Sequence, residues 1–253
     1  MPLDIVTVPC LSDNYAYIVK GPDGIAVIDA PEAEPLIAAL DQRGWTPDVI
    51  MITHHHHDHV GGVAQLREKY RCKVAGPEAE AHKLPELDMA LEPGTYGGEG
   101  EGLCEVIAVP GHTLGHVAFH YPQAGYVFTA DSLMAFGCGR IFEGTPEMMW
   151  DSLSTLAALN PDTIVCSGHE YTASNAAFAQ TIDPENDALI SRTQMITAAR
   201  AKGQPTAQVP LSLELQTNPF LRAGQPLVKK AMNMQDATDL EVFTEIRARK
   251  DKF

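Results

Sequence analysis

The stretch Thr53-His54-His55-His56-His57-Asp58-His59 limits what this 253-residue chain can fold into more than any other. Five imidazoles and a carboxylate crowd into it, directly after the apolar run Val49-Ile50-Met51-Ile52 and directly before Val60-Gly61-Gly62-Val63. Nitrogen and oxygen donors at this density point to a metal. A purification tag has a similar composition, but tags sit at termini and this run is internal. The apolar run reads as a strand buried on both faces, so the histidines begin where a strand leaves its sheet.

The other candidate ligands fall at corners of the same kind. The spacing predicts strands at 3–8, 14–19 and 25–29, a β-meander with Gly21-Pro22-Asp23-Gly24 as its turn. A helix over 32–43 stops at Gly44, and the strand 49–52 runs into the histidines. A helix over 60–70, a strand at 72–75 and a short helix at 78–83 follow, then an irregular glycine-rich stretch, 91–102. The strand 103–109 leads into Pro110-Gly111-His112-Thr113. Strands at 117–121 and 126–129 end at Ala130-Asp131. After a helix at 146–159, the strand 162–166 ends at Ser167-Gly168-His169. Residues 54–59, 112, 131 and 169 thus all lie just beyond strands, where a rigid scaffold presents functional loops. Past residue 172 strands nearly vanish. Asp183-Pro184 caps a helix running to Lys202, 204–221 reads as loop, and helices at 226–234 and 236–250 close the chain. The boundaries are a 1–171 catalytic domain and a 172–253 helical domain.

In an extended corner residues two apart point the same way. His54 and His56 can therefore share one metal, while Asp58 and His59, at the turn into the helix, face a second. His112 and His169 are placed to complete the two sets, and Asp131 to bridge them with its two oxygens. Asp58 and Asp131 are the candidate catalytic carboxylates. Mixed nitrogen and oxygen ligation suits zinc, with iron or manganese as alternatives, rather than calcium or copper(I). Two such ions ~3.5 Å apart hold a hydroxide nucleophile, because coordination lowers the pKa of water toward ~7.

His54-x-His56-x-Asp58-His59, followed in order by His112, Asp131 and His169, resembles the metallo-β-lactamase superfamily over about residues 1–171. Within it, the whole metal motif resembles the glyoxalase II (hydroxyacylglutathione hydrolase) family. So do Pro110-Gly111-His112-Thr113, Gly137-Cys138-Gly139-Arg140, Gly168-His169-Glu170-Tyr171-Thr172, Asn218-Pro219-Phe220-Leu221-Arg222 and Arg249-Lys250-Asp251-Lys252-Phe253. The resemblance implies an α/β (α+β) four-layer αββα sandwich with a smaller C-terminal helical domain. It implies two divalent ions, one on His54, His56 and His112 and the other on Asp58, His59 and His169, with Asp131 bridging. It implies hydrolysis of glutathione thioesters such as S-lactoylglutathione, a step in methylglyoxal detoxification. Arg140, Tyr171, Arg247 and Lys250 match the family's glutathione-binding residues. The chain departs from the pattern twice. Ala130 stands where glycine often precedes the bridging aspartate, and Phe142 stands where a second substrate-facing tyrosine would supply a hydroxyl.

Plainer roles are expected for several neighbours. His55 and His57 alternate away from the ligands, His116 is a structural or supporting histidine, and His82 and His120 carry no catalytic role. Asp29 is either a turn residue or the hydrogen-bond partner of a ligand histidine. Arg247, Arg249 and Lys250 end a helix that begins with Asp236 and Asp239, as the macrodipole prefers.

Composition narrows the class. Apolar content of 45% and charged content of 20% are ordinary for a globular chain. The formal charge of −15 argues against nucleic acid and makes any basic cluster informative. The five scattered cysteines, none in a Cys-x-x-Cys pair, read as buried thiols in a reducing compartment. No stretch has the length of a membrane span and the N-terminus has no signal-peptide pattern, so a cytoplasmic location is expected; the family resemblance implies a small glutathione thioester as partner, and a monomer is expected. The competing readings are a persulfide dioxygenase-like enzyme with one iron, a phosphodiesterase or nuclease, and a non-catalytic metal-binding module.

Overall fold

The structure, a computed structural model, describes residues 3–253, and by proximity these form two compact units. One runs through Ala108 and takes in Thr113–Thr129; the other comprises Val109–His112 and Ala130–Phe253. The change from strands to helices near residue 172 lies inside the second.

The first unit opens with the expected meander, β1 (Asp4–Cys10), β2 (Asn14–Gly21) and β3 (Gly24–Ile28), with β2 pairing antiparallel to both neighbours. Helix α1 (Ala33–Arg43) ends at Gly44 as predicted and buries Ala33, Leu36 and Leu40. It returns the chain to β4 (Val49–Met51), parallel to β3. Beyond α2 (His57–Val60) and α3 (Val63–Tyr70) come β5 (Lys73–Pro77) and β6 (Met89–Leu91), both parallel additions. The result is a six-stranded sheet in the order β1-β2-β3-β4-β5-β6. Leu36, Leu40, Val63 and Leu66 join Ile18, Val27, Ile50 and Val74 in one apolar core. Burial of this kind stabilises by about 25 cal/mol per Å² of apolar surface.

Three more strands of the unit, β7 (Gly94–Tyr96), β8 (Cys104–Ala108) and β9 (Val117–Tyr121), pair antiparallel, and β10 (Tyr126–Ala130) pairs with β9. Tyr17 and Phe128 meet across the two sheets at 5.2 Å between ring centroids. The Tyr121 hydroxyl reaches Met51 Sδ at 3.7 Å.

The second unit contains the short hairpin β11 (Leu133–Met134) and β12 (Gly137–Cys138), helix α4 (Pro146–Ala157) and strand β13 (Ile164–Ser167). Then follow α5 (Thr172–Ile182), α6 (Asp187–Arg200), β14 (Gln208–Pro210), α7 (Leu211–Thr217), α8 (Pro226–Ala231) and α9 (Asp239–Lys250). Trp150 of α4 packs on Phe243 of α9 at 5.5 Å, and Phe243 on Phe220 at 5.9 Å.

The elements depart from expectation where tertiary contacts outweigh local preference. The helix expected over 60–70 breaks at Gly61-Gly62. There Gly62 donates to the Ala30 carbonyl, and a Cβ on it would lie 2.6 Å from the Glu32 carbonyl carbon. The helix expected to start at Asp183-Pro184 starts instead at Asp187, capped by Asn186, whose side chain accepts from Leu189 N. Asp183 is drawn off by Arg222, whose Nε donates to it at 3.0 Å. A full helix, α5, fills 172–182, where none was expected, and 204–221 holds β14 and α7 rather than loop. The irregular stretch at 91–102 contains β7.

No helix among the described residues is long and apolar enough to cross a membrane. All five cysteines are buried and unbridged. Burial is the main cause that pushes the thiols of Cys10 and Cys104 up to about 12 and that of Cys138 to about 11. A protonated, buried thiol is neither a nucleophile nor a metal ligand. The native protein at pH 7.5 should therefore take up no iodoacetamide at these three positions, and the unfolded protein should take it up at all five cysteines. Peptide mass analysis checks this, and labelling of native Cys138 would contradict it.

Candidate active site

Every residue singled out at a strand end is placed at one by the fold, and hydrogen bonds hold the rings there. In the first unit, His54, His56, Asp58 and His59 follow β4. His54 and His59 are fully buried, and the Asp58 side chain is 41% exposed. The ligand atoms of His54 and His56 approach to 3.2 Å, and His59 Nε2 lies 3.8 Å from Asp58 Oδ2. Two residues apart on an extended corner, His54 and His56 do face the same way.

Asp29 anchors this corner. It follows β3 with φ of 56°, a left-handed conformation that aspartate tolerates. Its Oδ1 accepts from Thr53 N at 2.8 Å, and its Oδ2 accepts from the Thr53 hydroxyl and from His59 Nδ1, each at 2.8 Å. The Thr53 hydroxyl gives its proton to Asp29, so it accepts from His54 Nδ1 at 3.0 Å. Both rings then carry hydrogen on Nδ1 and present Nε2 as the lone-pair donor.

The second unit supplies His112, Asp131 and His169, all at most 6% exposed. The Nε2 atoms of His112 and His169 each lie 3.3 Å from Asp131 Oδ2. His112 Nδ1 meets the Arg140 carbonyl at 2.7 Å. A carbonyl can only accept, so here too Nδ1 carries the hydrogen and Nε2 the lone pair. Tight packing leaves no slack. A Cβ at Gly139 would overlap the Asp131 carbonyl oxygen, which accounts for the small residue in Gly137-Cys138-Gly139-Arg140. Rings locked in the Nε2-donor tautomer and acceptor-only carboxylates are, in each unit, donors of the kind that suit a divalent metal ion. The histidine and aspartate clusters of the chain support divalent metal binding.

The expected substrate residues all lie in the second unit. Tyr171 is 41% exposed, and its ring stacks on His169 at 4.6 Å and 6°. Phe142, 60% exposed, sits edge-on to His112 at 5.2 Å, with the Arg140 guanidinium 5.9 Å from its ring. Arg140 reaches Asp251 at 3.6 Å. Arg247 is only 6% exposed; it donates to the Cys138 carbonyl at 3.0 Å and to Asp251 at 2.8 Å. Lys250 is flanked by the Phe178 and Phe253 rings at 5.3 and 5.1 Å. Burial first, then the charges of Arg247 and Arg140, hold its ammonium below the usual lysine range. In so acidic a chain these three cations form a local basic patch.

Sequence reasoning missed the residues that support the corners. Asn14, 4% exposed, donates its amide to both the carbonyl and the Oδ2 of Asp58, each at 3.0 Å. Asn218 donates to the carbonyls of Met134 and Gly137 at 3.1 and 2.9 Å. Glu214 accepts from Phe136 N at 2.9 Å, and Asn175 donates to the Ala135 carbonyl at 3.1 Å. These are lone polar residues on helices or strands, and only the Asn218-Pro219 motif marked one of them. Of the remaining histidines, His116 is fully buried and stacks on His54 at 4.5 Å. His55 turns to Glu80, 2.7 Å away, and His120 pairs with Glu105 across β8 and β9 at 2.8 Å. His57 and His82 are exposed.

Comparison with known proteins bears on the family and the fold. Residues 11–169 match the family model described as metallo-beta-lactamase superfamily, and residues 170–253 match hydroxyacylglutathione hydrolase C-terminus. A hydroxyacylglutathione hydrolase of Ruegeria pomeroyi is 58% identical, covering 100% of both chains. One of Cereibacter sphaeroides is 57% identical with the same coverage. Among solved structures, ETHE1 from Myxococcus xanthus superposes with a TM-score of 0.68 at 21% identity, over 98% of this chain and 90% of that one. The fold is thus that of the metallo-β-lactamases, with a C-terminal helical region.

Ala130, immediately before Asp131, has φ of 41°. An L side chain there costs about 1–2 kcal/mol, which explains why glycine suits this position. Glycine gives back about 0.5–1 kcal/mol through its freer unfolded chain. Ala130→Gly should therefore raise the unfolding free energy of the metal-free protein by up to about 1 kcal/mol in a urea titration; a lower midpoint would contradict the strain.

Proposed function

The chain belongs to the hydroxyacylglutathione hydrolase family of the metallo-β-lactamase superfamily, and from that premise we propose that it hydrolyses S-(2-hydroxyacyl)glutathione thioesters, S-lactoylglutathione among them. The observation that carries this reading is the match of residues 170–253 to the C-terminal family model. That description names an activity, whereas the match over residues 11–169 names a superfamily. In this reading residues up to 171 supply the chemistry together with Arg140 and Tyr171, and 172–253 add Lys250 to the grip on substrate.

His54, His56 and His112 would hold one divalent ion, Asp58, His59 and His169 would hold another, and Asp131 would serve both. The locked Nε2 tautomers of His54, His59 and His112 support this assignment, as does the approach of His112 and His169 to one oxygen of Asp131. Zinc suits these donors first, and iron or manganese are the alternatives. Divalent ions in such a set supply Lewis acidity, which acidifies water toward neutral pH and draws charge from a carbonyl oxygen.

The chain's own groups do the rest. Asn14 orients the Asp58 carboxylate through its amide, and Asp29 fixes His59 and Thr53. Arg140 and Lys250 attract the carboxylates of glutathione, and the Tyr171 hydroxyl offers a hydrogen bond beside them. Arg247 steadies the Cys138 carbonyl next to Arg140 in sequence. Water oxygen adds to the thioester carbon as water gives up a proton, the C–S bond breaks, and the leaving thiolate takes up that proton, leaving a hydroxy acid and glutathione.

Purified, zinc-loaded protein should release thiol from S-lactoylglutathione, followed with a thiol reagent. Asp131→Ala should lower the rate by on the order of 10²–10³-fold, and a chelator should abolish it until metal is restored. Thiol release no faster than that of Asp131→Ala would overturn the substrate assignment. Phe142→Tyr adds a hydroxyl worth about 1 kcal/mol if it meets glutathione, so KM should fall about 5-fold with kcat little changed. An unchanged KM would remove Phe142 from the glutathione-facing set.

A further inference from the structure

Glu80 ends a one-turn 3-10 helix, Glu78–Glu80, and is 2% exposed, although nothing in its local sequence marks it. A buried carboxylate is costly unless donors surround it, and this one meets four. Its Oε2 accepts from His55 N at 2.8 Å and from His55 Nδ1 at 2.7 Å. Its Oε1 accepts from the Thr113 hydroxyl and from Gly115 N, the latter at 2.9 Å. An ionised carboxylate offers about four lone-pair sites, so each has a donor. Gly115 comes so near that a Cβ on it would strike the Glu80 side chain.

The two groups of donors come from two separate segments of the first unit. His55 lies between His54 and His56, and Thr113 directly follows His112. We propose that Glu80 is a positioning residue that ties the His54–His56 corner to Thr113 and Gly115 and keeps His55 out of the metal ligand set. Fixing both the N–H and the ring of His55 fixes the extended backbone on either side, and with it the common face of His54 and His56. Fixing Thr113 and Gly115 pins the segment that leaves His112. This inference rests on the ligand assignment of the preceding section and adds a residue that no ligand motif contains.

Glu80→Gln tests it, because it keeps the shape but turns one acceptor oxygen into a donor amide facing donors. Zinc affinity, measured by competition with a chromophoric chelator, should fall by about 10–100-fold, as for other residues that orient metal ligands. In the reaction, kcat should fall with KM changed less than about 2-fold, since substrate contacts are untouched. In the metal-free protein, hydrogen exchange of the His55 and Gly115 amides should accelerate together while that of Val27 stays as in the wild type. Glu78→Gln, an equal charge change on an exposed residue of the same turn, should leave zinc affinity at the wild-type value. Should Glu80→Gln fail to fold, His55→Ala removes the ring donor alone and should weaken zinc binding several-fold. Wild-type zinc binding with an equal affinity in Glu80→Gln, or in His55→Ala where that variant is needed, would overturn the clamp alone. A wild-type chain that bound no zinc would overturn the ligand assignment and the clamp with it.

Discussion

The Asp29 carboxylate holds the end of β4 and the start of α2 in one arrangement, and the histidine corner depends on it. Three donors converge on it: the Thr53 amide, the Thr53 hydroxyl and His59 Nδ1. The consequence is chemical as well as mechanical. An imidazole with hydrogen fixed on Nδ1 has its lone pair on Nε2, so Asp29 sets the tautomer of His59 directly and that of His54 through Thr53. The Arg140 carbonyl does the same for His112. Such oxygens decide whether a cluster of histidines is a ligand set or a patch of polar side chains.

The helical tail serves the second unit in a way that its basic residues alone would not suggest. Asn218, Glu214, Asn175 and Arg247 all bond to the backbone of the β11–β12 hairpin, the segment that leaves Asp131 and arrives at Arg140. The same helices therefore bring cations beside Arg140 and stiffen the chain beside Asp131. Arg247, with its guanidinium buried against Cys138 and Asp251, joins these two tasks, and Lys250 and Arg140 complete the patch. A basic cluster at a helix end has an ordinary electrostatic explanation. What distinguishes this one is that burial and neighbouring positive charge depress the Lys250 ammonium, a cost that ordinary helix chemistry does not require.

Most of the strands were legible because their signals are local. The meander β1–β3, the apolar strand β4 and the glycine that stops α1 follow from period, turn chemistry and composition. The elements that departed from expectation share a cause. Gly61-Gly62 broke a helix because the chain at Ala30–Ala33 passes too close for a side chain. Asp183 did not cap α6 because Arg222 claims its carboxylate. The helices α5 and α7 are tied to distant partners, Asn175 to the Ala135 carbonyl and Glu214 to Phe136 N. In each case a residue far along the chain outweighs local propensity, and a single sequence carries no trace of that distance.

The sequence by itself determined the donor chemistry: which residues can ligate a divalent ion, that they follow strands, and which family pattern they resemble. It did so because imidazole and carboxylate at alternate positions carry that information in their identity and spacing. Only the tertiary structure decided how each ring is held. Asn14 reaches Asp58 from 44 residues away and Glu80 reaches Gly115 from 35. A hydrogen bond is directional and short, so its partners are chosen by the fold that brings them within about 3 Å, and no pattern along the chain encodes that approach.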